Sequence, residues 1–240
     1  LGISVPEMYG GMGMSFNTSM LIADIIGSAG SFSTTYGAHT GIGTLPILYY
    51  GTEEQKQKYL PKLASGEHLG CFGLTEPDHG SNPGGMVTNF KDMGDHYLLN
   101  GSKMWISNSP ECQVAVVWAK NEEGRIKGLI VERGMEGFTT PEIHNKWSLR
   151  ASCTGELVFD NVKVPLLDDD ASPNLVHIRH FHPADDHYGA GCLAAAGRQR
   201  GVAGPHLAHG GLALGGGERP SDRRGLAAGT SSGGPRTSGR

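Results

Sequence analysis

Cys71-Phe72-Gly73-Leu74-Thr75-Glu76-Pro77, followed by Gly80-Ser81, is a strand-like run that ends in a Thr-Glu-Pro turn and enters a loop of small residues. A loop of this kind offers hydroxyl groups and backbone N–H groups, which suit a phosphate or the edge of a heteroaromatic ring. The run by itself therefore indicates a ligand-binding turn at the end of a strand, without identifying the ligand.

A second informative run is Asn100-Gly101-Ser102-Lys103-Met104-Trp105-Ile106-Ser107-Asn108. Trp105 and Ser107 are two apart on the expected strand, so they face the same side and can offer a ring and a hydroxyl to one ligand. A Trp buried in the core is the alternative interpretation. Asn100-Gly101 predicts a type I′ hairpin turn, because both residues tolerate positive φ.

The middle of the chain reads as a small sheet. Short strand-like runs separated by turn residues cover 69–74, 96–99, 103–107, 113–119, 127–131 and 155–160. Several short strands at such spacing predict a small antiparallel barrel or sandwich.

The first 66 residues read as helices. A first helix follows Ser15, with apolar residues at helical spacing, and a second is expected over about 37–50. Thr52 and Gln55 form a capping-box pattern for a third helix to about Ala64, which Pro61 should end or kink. The chain begins at Leu1 rather than at Met, which indicates a start inside a longer sequence.

The composition changes after Pro165. Residues 1–165 contain nine Lys and three Arg, whereas residues 166–240 contain no Lys and eight Arg. Stretches such as 210–217 and 229–240 are rich in small residues and Arg, and they cannot bury enough apolar area to offset chain ordering. We therefore expect 166–240 to be an anomalous, largely disordered tail.

Composition also excludes several classes of function. The formal net charge of -4 gives no general attraction to nucleic acid, and acidic residues interrupt the Arg219–Arg224 patch. No stretch approaches the roughly 20 apolar residues of a membrane span. The cluster His177, His180, His182 and His187 lies in the tail without a scaffold, so no metal site is predicted. The four Cys are far apart and are expected to be reduced thiols.

The two quoted runs together resemble the acyl-CoA dehydrogenase family. The resemblance covers about 1–165 and extends to Val5-Pro6-Glu7-Met8-Tyr9-Gly10-Gly11, Tyr50-Gly51-Thr52-Glu53-Glu54-Gln55-Lys56 and Phe159-Asp160-Asn161-Val162-Lys163-Val164-Pro165. It implies FAD as cofactor. It also implies that Thr75 and Ser107 hydrogen-bond the flavin ring, that Trp105 packs against it, that Ser81 lies near the pyrophosphate and that Leu74 belongs to the same site.

The resemblance does not extend to a catalytic residue. In the family a carboxylate base, typically in a Tyr-Glu-Gly run of a C-terminal helical domain, removes the α-proton while a hydride leaves for the flavin. No such run follows Pro165, and Glu76 matches a structural turn, so no catalytic residue is assigned. A frameshift in a GC-rich gene is one hypothesis for the tail. The absence of a downstream Tyr-Glu-Gly run from the other reading frames would contradict it.

The subfamily signal is mixed. Trp147-Ser148-Leu149-Arg150-Ala151-Ser152 looks like glutaryl-CoA dehydrogenase, whereas 31–46 looks more like a dehydrogenase of ordinary fatty acyl-CoA. Glutaryl-specific members carry an Arg in that helical region for the distal carboxylate, and Ser33 stands there. Without that cation, a buried carboxylate would have no partner.

The sequence thus predicts an α+β chain in three parts. A partial N-terminal helical domain (1–66) precedes a small antiparallel β-barrel domain that binds flavin (67–165), and the tail (166–240) follows. The function expected by resemblance is that of an FAD-dependent acyl-CoA dehydrogenase, with glutaryl-CoA among the candidate substrates and with no activity in this chain alone. The alternative is a non-enzymatic flavin or acyl-CoA binding module.

The resemblance also implies partners and a compartment. An acyl-CoA substrate and an electron-transfer flavoprotein are expected, whereas nucleic acid and a membrane span are not. Intact family members form tetramers through their C-terminal helices, which is not expected of this chain. The location would be cytoplasmic in a bacterium and the mitochondrial matrix in a eukaryote.

Overall fold

The computed structural model describes residues 1–166 and the backbone of two further residues, Leu175–Val176. Helices come first and strands follow, which confirms the α+β prediction. The α-helices are α1 (Phe16–Gly27), α2 (Gly30–Gly37), α3 (Leu45–Tyr50) and α4 (Glu53–Ser65), with a π-helical turn at Ala38–Ile42. The strands are β1 (Gly70–Gly73), β2 (Asn89–Asp92), β3 (His96–Ser107), β4 (Val114–Lys120), β5 (Ile126–Glu132), β6 (Phe138–Thr139), β7 (Thr154–Pro165) and β8 (Leu175–Val176).

The helix expected over about 37–50 is only partly right, because a π-helical turn (Ala38–Ile42) and α3 (Leu45–Tyr50) occupy it in place of one helix, and α2 precedes them. Pro46, in the first turn of α3, suits a helix start, where a missing N–H costs nothing. His39 lies in the π-helical turn. Its Nδ1 accepts a hydrogen bond from Gly70 N at 3.0 Å and its Nε2 lies 3.0 Å from Leu63 O. These contacts attach the helical region to the first strand.

Helix α4 carries the expected capping box. Gln55 N donates to Thr52 Oγ1 at 3.2 Å, and Thr52 N donates to Gln55 Oε1 at 2.9 Å. The helix does not end at Pro61 but continues to Ser65. Its buried side packs Tyr59, Leu60 and Leu63 against residues of β4 and β5, and this packing holds the helix across the proline.

The sheet is mixed, so the expectation of an antiparallel barrel is only partly right. The described strands follow the order β6-β7-β3-β2-β4-β5-β8, with β1 beside β4. Strand β4 runs parallel to β1 and, at one position, to β2, while the other pairs are antiparallel. Residues 74–113 connect β1 to β4 and supply the long crossover that a parallel pair needs. Turn signals between sequence neighbours cannot reveal such a pairing.

Asn100-Gly101 is not a hairpin turn, because β3 runs through it without reversing. The strand shifts its register against β7 between Leu99 and Gly101. Asn100 Oδ1 accepts a hydrogen bond from Asn161 N at 2.8 Å. At Gly101, with φ of 132°, a Cβ would lie 2.7 Å from the Thr88 Cα. The glycine therefore serves a bulge and a close backbone approach instead of a turn.

Strand β4 separates two hydrophobic cores. Ala115, Val117 and Ala119 face a core shared with β3, β5 and β7, whereas Val114 and Val116 face the core under α4. All five are fully buried. A strand covered on both faces reads as a continuous apolar run, and this one does.

The cysteines, a membrane span, a metal site and the tail were the other subjects of prediction. Cys71 and Cys112 are free and buried, as expected, and Cys153 is free and half-buried. Within the described residues no helix has the length and apolarity to cross a bilayer, and no group of three His, Cys, Asp or Glu forms a metal site. Apart from Leu166 and β8, which pairs with β5, the tail and its His cluster lie outside the described residues.

Candidate functional site

The two motifs meet where β1 ends. Leu74 and Thr75 follow the last residue of β1, and Met104 N of β3 donates a hydrogen bond to Thr75 O at 2.8 Å. Thr75 therefore lies beside the segment that carries Trp105. We call Leu74–Glu76 together with Lys103–Asn108 the strand junction.

A buried ion pair holds the strand junction together. Lys103 Nζ lies 2.8 Å from Glu76 Oε1, and both side chains are at most 1% exposed. The same Nζ donates to Leu74 O at 3.2 Å. Gly73 leaves room for this lysine, since a Cβ there would lie 3.2 Å from Lys103 Cγ and 2.7 Å from Leu157 Cδ1.

Glu76 is a structural residue, as its resemblance to the family turn implied. Its carboxylate accepts hydrogen bonds from Val87 N at 2.7 Å and Thr88 N at 3.0 Å, in addition to its contact with Lys103. Burial would raise the pKa of Glu76, but these hydrogen bonds outweigh it and lower the pKa to about 2. A carboxylate with so low a pKa is a weak base, and this one is buried with its oxygens occupied, so it is not suited to remove a substrate proton.

Lys103 stays charged at neutral pH beside this carboxylate. Burial lowers the pKa of Lys103 to about 8, and the hydrogen bond and charge of Glu76 oppose that shift. A buried charge is tolerated only when it is paired and hydrogen-bonded, as both partners are here. The pair therefore ties the turn after β1 to the middle of β3.

Trp105 leaves the sheet at a bulge. Its φ is 63°, and the pairing of β3 with β7 shifts register between Lys103 and Ile106. Trp105 is 57% exposed, whereas Ile106 is 4% exposed. The alternative of a core Trp is thus wrong for Trp105. Positive φ at a bulky residue is a strained conformation of the kind that clusters at functional sites.

Two hydroxyl groups of the strand junction are uncommitted. Within the described residues, the side chains of Thr75 and Ser107 make no hydrogen bond. Nearby hydroxyls behave differently, since Ser109 Oγ donates to Ile106 O at 3.0 Å and Thr88 Oγ1 donates to Ser102 O at 3.3 Å. Hydroxyl groups in the same junction as an exposed indole can bind the polar edge of a flat aromatic ligand.

Ser81 lies farther along the loop. Glu76 and His79 exchange backbone hydrogen bonds at 3.2 and 3.3 Å, which closes a tight turn before Gly80. Ser81 is exposed and precedes the 3₁₀ turn Pro83–Gly85. The structure thus brings Leu74, Thr75, Trp105 and Ser107 to one junction, with Ser81 on the adjoining loop.

Three residues at or near the junction escaped the sequence reasoning. Lys103 and Asn108 both stand inside the second quoted run, and both are fully buried. Lys103 shares a strand with apolar neighbours, which is one signal of a buried lysine. Asn108 has φ of 72°, which Asn adopts more readily than most residues. His39 gave no local signal, because its partners lie far along the chain.

Comparison with protein families gives two matches that divide the chain. The profile described as Acyl-CoA dehydrogenase, N-terminal domain, matches residues 1–67, and that described as Acyl-CoA dehydrogenase, middle domain, matches residues 71–162. This chain belongs to the acyl-CoA dehydrogenase family. The strand junction lies wholly within the acyl-CoA dehydrogenase middle domain.

Relatives within the acyl-CoA dehydrogenase family differ in their substrates. A probable acyl-CoA dehydrogenase of Bacillus subtilis is 46% identical over 69% of this chain and 28% of its own length. The mitochondrial isovaleryl-CoA dehydrogenase of Solanum tuberosum is 44% identical over 69% of this chain and 41% of its own. A solved glutaryl-CoA dehydrogenase of Mycobacterium smegmatis in complex with FADH2 has a TM-score of 0.68, with 38% identity over 82% of this chain and 48% of that one. The chain thus spans less than half the length of each.

Proposed function

We propose that the strand junction is the flavin-binding part of an FAD-dependent acyl-CoA dehydrogenase. The observation that carries the proposal is an exposed Trp105 in the same strand junction as Thr75 and Ser107, whose hydroxyls make no hydrogen bond within the described residues, on a backbone held by a buried ion pair. Groups that are already ordered lose little conformational entropy when they bind a rigid ring system.

The residues at the junction fit an isoalloxazine ring. Thr75 and Ser107 would hydrogen-bond its polar edge, and Trp105 would pack against it. Leu74 would lie beside the ring, and Ser81, on the exposed loop, would lie near the pyrophosphate. When bound, FAD supplies the two-electron acceptor for α,β-dehydrogenation of an acyl-CoA thioester.

We further propose that this polypeptide alone binds flavin but does not dehydrogenate. The 240 residues contain no Tyr-Glu-Gly run, and Glu76, the acidic residue of the flavin turn, is 2% exposed and committed to Lys103. This observation keeps the non-enzymatic flavin or acyl-CoA binding module as the second candidate function for the isolated chain.

The acyl group we propose is one without a distal carboxylate. Helix α2, where glutaryl-specific members carry an arginine, contains neither Lys nor Arg. Ser33 on that helix donates its hydroxyl to Gly30 O at 2.7 Å. A carboxylate placed there would lose water without gaining a cation, which is costly. Glutaryl-CoA is therefore a poorer candidate than a monocarboxylic acyl-CoA.

The expected partners follow from the family. Electron-transfer flavoprotein is the proposed acceptor of the intact enzyme, in the bacterial cytoplasm or the mitochondrial matrix. We do not expect the family tetramer from this chain alone.

Titration of the full chain with FAD, followed by a turnover assay, tests the proposal. We expect stoichiometric binding with a resolved flavin absorption band, and no reduction of an artificial acceptor when isovaleryl-CoA, butyryl-CoA or glutaryl-CoA is added. Isovaleryl-CoA and butyryl-CoA should perturb the bound-flavin spectrum more than glutaryl-CoA does. Failure to bind FAD would refute the flavin site. Turnover at an enzymatic rate would refute the absence of a base and the binding-module alternative.

A further inference from the structure

Asn108 occupies a junction of three segments. It follows the last residue of β3 directly, and its side chain is fully buried. Its Nδ2 donates to Thr35 O of α2 at 3.0 Å and to Gly70 O of β1 at 3.3 Å. Its backbone N donates to Cys153 O, just before β7, at 2.9 Å. One residue thus connects the flavin strand to a helix and to two neighbouring segments of the sheet.

Within the part of the chain that the structure describes, helix α2 has few other direct contacts with the sheet region. It contains no buried residue, so apolar packing fixes it weakly. Its polar links to the sheet region concentrate on Thr35, whose carbonyl accepts from Asn108 and whose Oγ1 donates to Ser152 Oγ at 3.1 Å. The Asn108 amide therefore holds the body of α2 directly, while the π-helical turn that follows the helix is held separately by His39.

The chemistry of Asn suits this position. Its amide has two N–H donors, and two backbone carbonyls on separate segments receive them. Its φ of 72° lies in the left-handed region, where Asn is enriched among non-glycine residues. Asp would present carboxylate oxygens to those carbonyls, and Ala would provide neither the donors nor the tolerance of this φ.

We propose that Asn108 is a positioning residue that sets the register of helix α2 against the flavin-contacting segment Trp105–Ser107. The inference rests on the proposed function, in which α2 borders the acyl group and Trp105–Ser107 borders the flavin. In that arrangement the amide of Asn108 fixes how the acyl chain and the flavin ring face each other. Asn108 touches neither of them.

The test compares Asn108→Gly with the wild-type full chain by hydrogen–deuterium exchange. Glycine accepts positive φ, so this variant removes the amide contacts while it keeps the backbone path. Two lost hydrogen bonds predict exchange roughly tenfold faster or more in peptides covering both 30–37 and 104–109. Asn100→Gly is the matched control. It removes an Asn of the same strand that contacts Asn161 instead of α2, and it should leave peptide 30–37 unchanged.

These exchange measurements need no cofactor. They therefore test the link between α2 and β3 through Asn108 even if the chain fails to bind FAD. Unchanged exchange over 30–37 in Asn108→Gly would overturn it. If that variant does not fold, hydrogen–deuterium exchange of the wild-type chain at low urea concentrations gives the answer instead. Joint opening of 30–37 and 104–109 supports the link, and independent opening overturns it.

FAD titration then tests the positioning role. We expect Asn108→Gly to bind FAD about tenfold more weakly than Asn100→Gly, because the Trp105–Ser107 segment is no longer preset. Equal affinities of the two variants would overturn the positioning role. If the wild-type chain binds no FAD, both the proposed function and this role are overturned, while the exchange result for the link between α2 and β3 stands.

Discussion

The strand junction buries its charged side chains, whereas helix α1 leaves its apolar side chains exposed. Lys103 and Glu76 are at most 1% exposed at their side chains. In α1, Met20, Leu21 and Ile25 are 48%, 61% and 64% exposed, and no residue of the helix is buried. From residue type alone, the charged side chains would be expected at the surface and the apolar ones in the core.

The difference shows which backbone segments are held by several tertiary contacts and which are not. Each buried charge of the junction has several partners, and the result is a rigid backbone that presents Trp105 outward. Helix α1 depends on its local cap and backbone hydrogen bonds, since its apolar side packs against little of the described chain. Substitutions should therefore be costly at the junction and mild in α1.

Replacing the buried cation should have the largest effect. Lys103→Met leaves Glu76 buried without its charged partner, which predicts a loss of about 3–5 kcal/mol in the free energy of unfolding. Urea unfolding followed by circular dichroism measures it. Lys58→Met is the matched control, because its pair with Glu132 is partly exposed, and it should cost about 1 kcal/mol or less. Similar losses in the two variants would contradict a special role for the buried pair.

A pair of leucine substitutions compares the buried helix with the exposed one. Leu60 of α4 is fully buried, so Leu60→Ala should destabilise the chain by about 2–5 kcal/mol. Leu21 of α1 is 61% exposed, and Leu21→Ala should change stability by no more than about 0.5 kcal/mol. Thermal and urea unfolding of both variants check this. A Leu21→Ala loss that matched the Leu60→Ala loss would show that the surface of α1 is covered in solution.

Acidification should weaken the strand junction in a defined window. The pKa of Glu76 is about 2 in the folded chain against an ordinary value of 4.5, so the unfolded state binds more protons between these values. The stabilisation is therefore complete above about pH 4.5 and is lost as pH falls toward 2, by at most about 3 kcal/mol. Unfolding free energies measured from pH 6 to 2.5 test it. Glu76→Gln should have a flatter acid limb, and an unchanged limb would assign the effect to other carboxylates.

The helix caps give the smallest contrast. Thr52→Ala removes the capping box of α4 and should cost about 1 kcal/mol. Ser15→Ala removes a longer, exposed cap bond of 3.4 Å from Thr18 N and should cost less. Thermal unfolding of the two variants measures the difference. The reverse order of the two losses would contradict the view that α4 is the more strongly coupled helix.

Local sequence patterns predicted most elements and missed the long-range pairing. The capping box at Thr52 and the apolar run of β4 depend on neighbours in sequence, and both were confirmed. The hairpin prediction at Asn100-Gly101 was wrong because the glycine is required by its close approach to Thr88, just before β2, and not by a turn. The parallel pairing of β1 with β4 left no local trace at all.

At the candidate site, too, the local patterns were predicted and the long-range contacts were missed. Trp105, Ser107 and Thr75 could be named because they stand in recognisable runs, and their roles toward flavin remain predictions. The runs did not reveal the buried contacts that hold these residues in place. The pairing of Lys103 with Glu76 and the contact of Asn108 with Thr35 join residues 27 and 73 positions apart. Such contacts are created by tertiary folding and carry no short-range pattern.

Two tryptophans test the central claim most directly, because both are exposed but only Trp105 belongs to the strand junction. Trp105 is 57% exposed and Trp147 is 101% exposed. FAD titration of the full chain, followed by flavin fluorescence, should show binding weakened by on the order of tenfold or more in Trp105→Ala, from the loss of ring packing. Trp147→Ala should bind like the wild type. Equal FAD affinity in Trp105→Ala and the wild type would contradict the assignment of the strand junction as the flavin site.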